Sequence, residues 1–166
     1  MIREVSLDDA AEIAAVYNHY VRNTHATFEE EDVTTAAMAE RIGRVMSAYP
    51  WFVAEEEGVL TGYSYAGPFH ARAAYRLTAE TTVYLRPGCE GRGTGAALYE
   101  ALLATLRRRD LHAAIGIIAL PNPASVALHE RFGFGQVGRL VEVGRKFDRW
   151  IDVGIWQLQL SPAEAE

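Results

Sequence analysis

Thr82-Val83-Tyr84-Leu85-Arg86-Pro87-Gly88-Cys89-Glu90-Gly91-Arg92-Gly93-Thr94-Gly95-Ala96 reads as a β-strand running into a glycine-rich turn that opens a long helix. Such a junction binds phosphates. Glycines at alternate positions let the backbone turn tightly and aim its N–H groups at an anion, and the helix N-terminus adds about half a positive charge. Two common phosphate loops are excluded. Gly91, Gly93 and Ala96 meet the loose dinucleotide fingerprint, but the next strand ends in Leu120-Pro121-Asn122, without the acidic residue that holds a ribose. A triphosphate loop would need Gly-Lys-Ser/Thr, which does not follow.

Working outward, residues 2–5 read as a short strand, and Ser6 with Asp9 as a capping pair for a helix burying Ile13, Val16, Tyr17 and Tyr20. Residues 23–32 form a polar loop holding His25, Thr27 and Phe28, and a second amphipathic helix carries Met38, Ile42, Val45 and Met46. Residues 51–54 and 59–66 flank Glu55-Glu56-Glu57-Gly58 as a hairpin. After the glycine loop, Leu98, Ala101, Leu102, Thr105 and Leu106 mark a buried helix face, and residues 113–120 suit a strand covered on both sides. Asn122 and Pro123 cap and open a helix over 124–132 that Gly133 ends, and strands near 137–143 and 151–160 close the chain. The expected class is α/β: a mixed sheet with helices on both faces, in one domain over 1–166.

Composition bounds the partners. With 166 residues, 49% hydrophobic and 23% charged, the chain has the balance of one globular domain. A net charge of −6 argues against a nucleic-acid surface, and Arg107-Arg108-Arg109 complements a helix C-terminus. The single cysteine, Cys89, excludes an internal disulfide and a cysteine-rich metal site, and fits a reducing, cytoplasmic compartment. No stretch is apolar enough for a signal peptide or a membrane span. His19, His25, His70 and His112 lack metal-ligand spacing, so no metal is expected.

The order strand, glycine loop, long helix, buried strand and asparagine-capped helix ending in Gly-Phe resembles the GNAT family of acetyl-CoA-dependent N-acetyltransferases. Thr27-Phe28, the run from Tyr75 to Tyr84, the run from Leu120 to Glu130, and Trp150-Ile151-Asp152-Val153 are most similar to its phosphinothricin and methionine sulfoximine branch. The resemblance implies the GNAT fold, a mostly antiparallel central sheet splayed where the cofactor binds. It also implies acetyl-CoA as co-substrate, its pantetheine arm along Val83, Tyr84 and Leu85, its pyrophosphate on Gly91, Arg92, Gly93, Thr94, Gly95 and Ala96, and its thioester near Asn122 and Ser125. Arg92 is either a phosphate contact or a solvated loop residue. Asn122 serves equally well as a helix cap alone. Glu90 departs from the family's Gln/Arg at that position; it is unfavourable beside a pyrophosphate but can point away at modest cost, so weaker cofactor affinity rather than none is expected. A homodimer is implied as well.

Amine acetylation needs a neutral nitrogen, so something must take a proton from the ammonium. Glu80, in a threonine-flanked strand, is the candidate base, which also agrees with the branch; its plainer reading is an exposed edge charge. His129 occupies the position where many family members carry a tyrosine acid for the leaving thiolate, and otherwise reads as a structural helix residue. Arg72 and Arg76 are candidates for the acceptor's carboxylate, with Arg76 and Glu80 on one face if the segment is extended. By the resemblance, Phe28 and Tyr75 wall the acceptor's side chain. The expected reaction is acetylation of the α-amine of a small amino acid analogue such as phosphinothricin, methionine sulfoximine or methionine sulfone, by direct attack in a ternary complex, giving detoxification. Another small amine, a protein N-terminus, or non-catalytic acyl-CoA binding are the alternatives.

Overall fold

Local signals set most element boundaries in the computed structural model, which describes residues 1–160; residues 161–166, the end of the expected single domain, lie outside them. After β1 (Ile2–Glu4), the Ser6 N–H donates to Asp9 Oδ2 at 2.7 Å, and a single 3₁₀ turn leads into α1 (Ala10–Asn23). The Thr34 hydroxyl opens α2 (Thr35–Met46) by accepting the Ala37 N–H at 3.1 Å. β2 (Trp51–Glu56) and β3 (Val59–Pro68) are joined by Glu57 and Gly58 in left-handed conformations, φ 51° and 78°, which suit the twist of a two-residue hairpin. β4 (Thr78–Leu85) runs through the glycine turn into α3 (Thr94–Arg108). β5 (Ala113–Leu120) precedes α4 (Pro123–Arg131), whose cap is the Asn122 side chain accepting the Ser125 N–H at 3.1 Å. β6 (Gly135–Lys146) and β7 (Arg149–Gln159) form the last hairpin.

The seven strands form one sheet in the order β1-β2-β3-β4-β5-β7-β6. β4 and β5 run parallel, and the other neighbours are antiparallel. The β4–β5 ladder covers only Thr78 to Glu80 against Ala113 to Ile115; beyond it β4 pairs with β3 alone and β5 with β7 alone. The sheet therefore opens as a wedge at its centre.

Both faces are covered. α1 and α2 set Ile13, Val16, Tyr17 and Ile42 against Trp51, Val53, Leu60 and Tyr63. On the other face Tyr99, Leu102, Leu103 and Leu106 of α3 pack with Phe134 on Ala66, Ala79, Ala114 and Ile118. Each fully buried leucine there contributes about 2 kcal/mol. Three expectations are corrected. Met46 is exposed at the end of α2, Tyr20 is only half-buried because its hydroxyl reaches across to the Leu85 carbonyl at 2.7 Å, and β5 is not covered throughout, since Ile117 faces the wedge.

Asp9 anchors the N-terminal corner. It accepts two hydrogen bonds from Arg3, at 2.8 and 2.7 Å, besides the Ser6 amide, and the Arg3 guanidinium holds its carboxyl below the usual aspartate range. A lowered native pKa adds stability above the unfolded value of about 4 that is lost as pH falls through the native value. Asp9→Asn should cost about 2 kcal/mol at neutral pH. In thermal melts from pH 7 to pH 3, the gap between variant and wild type should narrow towards the acid end.

Candidate active site

The wedge between β4 and β5 forms a cleft of about 530 Å³. Its β4 wall carries Glu80, Val83, Tyr84 and Leu85, its floor includes Gly95 at the start of α3, and Asn122, Ser125 and His129 line it from the α4 side. The loop between α1 and α2 roofs it with Ala26, Thr27 and Phe28. That loop is well anchored: Thr27 Oγ1 meets the Tyr17 hydroxyl at 2.7 Å, the Glu29 carboxylate takes both Arg41 donors at 2.7 and 3.0 Å, and His25 Nε2 donates to the Pro121 carbonyl at 2.8 Å.

Glu80 is the last residue of β4 paired with β5, so its carboxylate stands where the sheet divides. It has no hydrogen-bond partner among the described residues, and burial raises its pKa above the ordinary glutamate value, an effect His70 opposes. A half-buried carboxylate without a donor calls for a cation or a proton.

His129 is almost fully buried beneath Gly116, where a Cβ would collide with its ring. Its Nδ1 lies 2.7 Å from the Ser125 carbonyl, which can only accept, so Nδ1 carries the proton. Nε2 then accepts from the Tyr99 hydroxyl at 2.7 Å. The Tyr99 oxygen is in turn 2.7 Å from Thr81 Oγ1, whose proton has a second acceptor in the Ile115 carbonyl at 3.2 Å. Burial lowers the His129 pKa and keeps the ring neutral. Both nitrogens are thus engaged inside the protein. This geometry speaks against His129 as the direct thiolate acid, because its one proton is committed to a backbone carbonyl.

The glycine turn fits an anion. Gly88, Gly91 and Gly93 have φ of 84°, 75° and 85°, and nothing lies within 4 Å of where their Cβ atoms would stand. Gly93 caps α3 without a side chain, which leaves the amides of Thr94, Gly95 and Ala96 without partners in the helix. The Glu90 carboxylate accepts the Gly88 N–H at 2.8 Å and so is tied down within its own turn. Arg92 leans towards Glu56, 3.9 Å away, with both side chains well exposed. Free amides, glycines open to solvent and the unpaired β4 edge together fit the phosphates and extended arm of a coenzyme A thioester.

Arg72, Tyr75 and Arg76 do not join the cleft lining. Residues 73–75 form a 3₁₀ turn, with Arg76 just after it bonding its guanidinium back to the Ala73 carbonyl at 3.3 Å. Alternation from Glu80 therefore does not reach Arg76, since β4 begins only at Thr78. Tyr75 packs on Phe69 and His70, ring centroids 5.7 and 5.0 Å away. Tyr99 and Thr81 were missed by sequence reasoning. A signal existed: Tyr99 shares the helical spacing of Leu102, Leu103 and Leu106, and a tyrosine in such a buried stripe needs a hydroxyl partner.

A family model for the acetyltransferase (GNAT) domain matches residues 2–155. The chain is 38% identical over 156 residues to a phosphinothricin N-acetyltransferase of Streptomyces viridochromogenes, spanning 94% of this chain and 85% of that one. It is 37% identical over 160 residues to the L-methionine sulfoximine/L-methionine sulfone acetyltransferase of Salmonella typhimurium, spanning 96% and 94%. A phosphinothricin acetyltransferase of Sinorhizobium meliloti, solved in complex with acetyl-CoA, superposes with a TM-score of 0.94 at 34% identity, covering 99% of this chain and 93% of that one.

The His129 geometry is measurable. Ring ¹⁵N shifts should show a neutral imidazole protonated on Nδ1 that persists as pH falls through the ordinary histidine value near 6.5, its titration displaced downwards. Titration at or above that value would contradict the assignment.

Proposed function

The chain belongs to the GNAT acetyltransferase family, and on that premise we propose that it acetylates the α-amine of small amino acid analogues of the phosphinothricin, methionine sulfoximine and methionine sulfone type, with acetyl-CoA as donor. The observation that carries this reading is the unpartnered Glu80 carboxylate at the divergence of β4 and β5.

Acetyl-CoA, when bound, supplies the activated acetyl group. The amides of Thr94 to Ala96 and the open glycines are suited to its phosphates, and the edge of β4 from Val83 to Leu85 to its extended arm. Glu80, ionised, receives a proton from the acceptor's ammonium, directly or through water, leaving a neutral nitrogen in the same cleft. General-base help of this kind is worth about a hundred- to ten-thousandfold. The nitrogen sheds a second proton on acylation, which suffices for the departing thiolate, so no separate acid is required. His129 then fixes α4 against Tyr99 of α3 and Gly116 of β5 and keeps Asn122 and Ser125 at the cleft wall. Attack is direct, because the free thiol of Cys89 does not line the cleft and makes no hydrogen bond to a base among the described residues.

One observation favours a second acceptor class. No lysine or arginine lines the cleft among the described residues, so no fixed cation there pairs with an acceptor carboxylate, and a small amine without one or a protein N-terminus also fits that lining. The detoxifying role belongs to the first reading: acetylation removes the ammonium by which such analogues mimic glutamate. So does a homodimer. Edge strand β6 exposes Val137, Leu140, Val141 and Val143, a run of apolar side chains of the kind that marks association, and sedimentation should show a dimer.

Thiol release from acetyl-CoA should be strongest with the amino acid analogues; release only with carboxylate-free amines or peptides would select the second reading. Glu80→Gln should lower kcat at least about a hundredfold with little change in the acetyl-CoA KM. With a raised Glu80 pKa in the free protein, wild-type kcat/KM should fall as pH drops through a value above the ordinary glutamate range, and the variant should lose that limb.

A further inference from the structure

The last hairpin reaches the roof of the cleft through two residues that no catalytic role requires. Between Leu140 and Gly144 the β6–β7 register shifts, with Glu142 in a left-handed conformation at φ 51°. Asp152 fastens this bulge: its Oδ1 accepts the Glu142 N–H at 2.8 Å and its Oδ2 the Arg139 Nε–H at 2.8 Å. The bulge brings Gly144 beneath the roof loop. The Phe28 ring lies so close over Gly144 that a Cβ there would overlap ring atoms Cε2 and Cζ. Two residues on, the ammonium of Lys146, almost fully buried, donates to the Thr27 carbonyl at 2.8 Å. The hairpin thus grips consecutive roof residues, one by a missing side chain and the other by a buried charge.

Phe28 lines the same cleft as Glu80 and Tyr65, on the roof loop rather than on the glycine turn. Its ring position sets how much room an acceptor side chain finds near the base. Resting on the proposed N-acetyltransferase reading, we propose that Gly144 and Lys146 are specificity-determining positions, which fix the acceptor wall by seating the Phe28 ring on the β6 backbone and tying down the Thr27 carbonyl. Gly144 lies outside the left-handed region, so alanine strains no backbone there. Its methyl would have to push the ring off its seat.

The test compares wild type, Gly144→Ala, Lys146→Met and Gly144→Ala/Phe28→Leu by thiol release over primary amines of graded side-chain size. The single variants should raise the acceptor KM about tenfold or more, most for the bulkiest amines, with the acetyl-CoA KM within about twofold of wild type. The double variant should recover most of the loss, because leucine vacates the space the methyl needs. Equal rises in both KM values, or an unchanged acceptor profile, would overturn the proposal. A crystal structure of Gly144→Ala provides a readout independent of turnover: a displaced Phe28 ring is expected, and an undisturbed one refutes the mechanism. Failure of wild type to acetylate any amine would strike the functional reading alone, since the ring position is still read from that crystal.

Discussion

Three residue pairs hold β4 to β5, and the site depends on their being no more than three. Had the ladder continued, the backbone of Val83 to Leu85 would be spent on β5 and the cleft would not exist. The divergence is held by side chains. Thr81, immediately after the last paired residue of β4, places its hydroxyl within reach of the Ile115 carbonyl, on the last paired residue of β5. That hydroxyl is also the first link of a chain through Tyr99 to His129 and on to the Ser125 carbonyl, so β4, α3, α4 and β5 meet at one buried polar seam. Each link is satisfied, which is the condition for such a seam to rigidify a core rather than weaken it. Gly116, the first residue past the ladder, leaves the space in which the imidazole sits.

The same economy of small residues recurs at the roof. His25 bridges it to the Pro121 carbonyl on one side, and Lys146 bridges it to β6 on the other. Tyr20 spans from α1 to the Leu85 carbonyl at the far end of β4. These contacts tie the roof to the β5–α4 connection and to β6, and α1 to the end of β4, so the cleft is shaped before anything enters it and little binding free energy would go into ordering the loop.

What the sequence made legible was local. The Asn122-Pro123 start of α4, the Glu57-Gly58 turn and the glycine junction each need only neighbouring residues, so their chemistry shows in the residue string. Glu80 was legible because a carboxylate in an otherwise uncharged strand is unusual. Two of the losses were non-local. Gly116 and Gly144 occupy their strands for the sake of rings 13 and 116 residues distant, His129 and Phe28, and nothing near either glycine announces it. Arg76 misled for the opposite reason: alternation was extended across a 3₁₀ turn that interrupts the strand period.

Glu90 shows how such a loop tolerates an unfavourable charge. The charged residues lining the cleft are Glu80 and Glu90, a balance that favours an ammonium but opposes a pyrophosphate. Accepting the Gly88 amide lets Glu90 place part of its charge on a donor at the beginning of the turn, ahead of the amides of Thr94 to Ala96 that an anion would use. The dipole of α3, 15 residues long, still presents its positive end at those amides. An acidic side chain in this loop therefore lowers the local potential without consuming the helix-terminal donors, and the amides that an anion would use are set by backbone geometry rather than by the identity of residue 90.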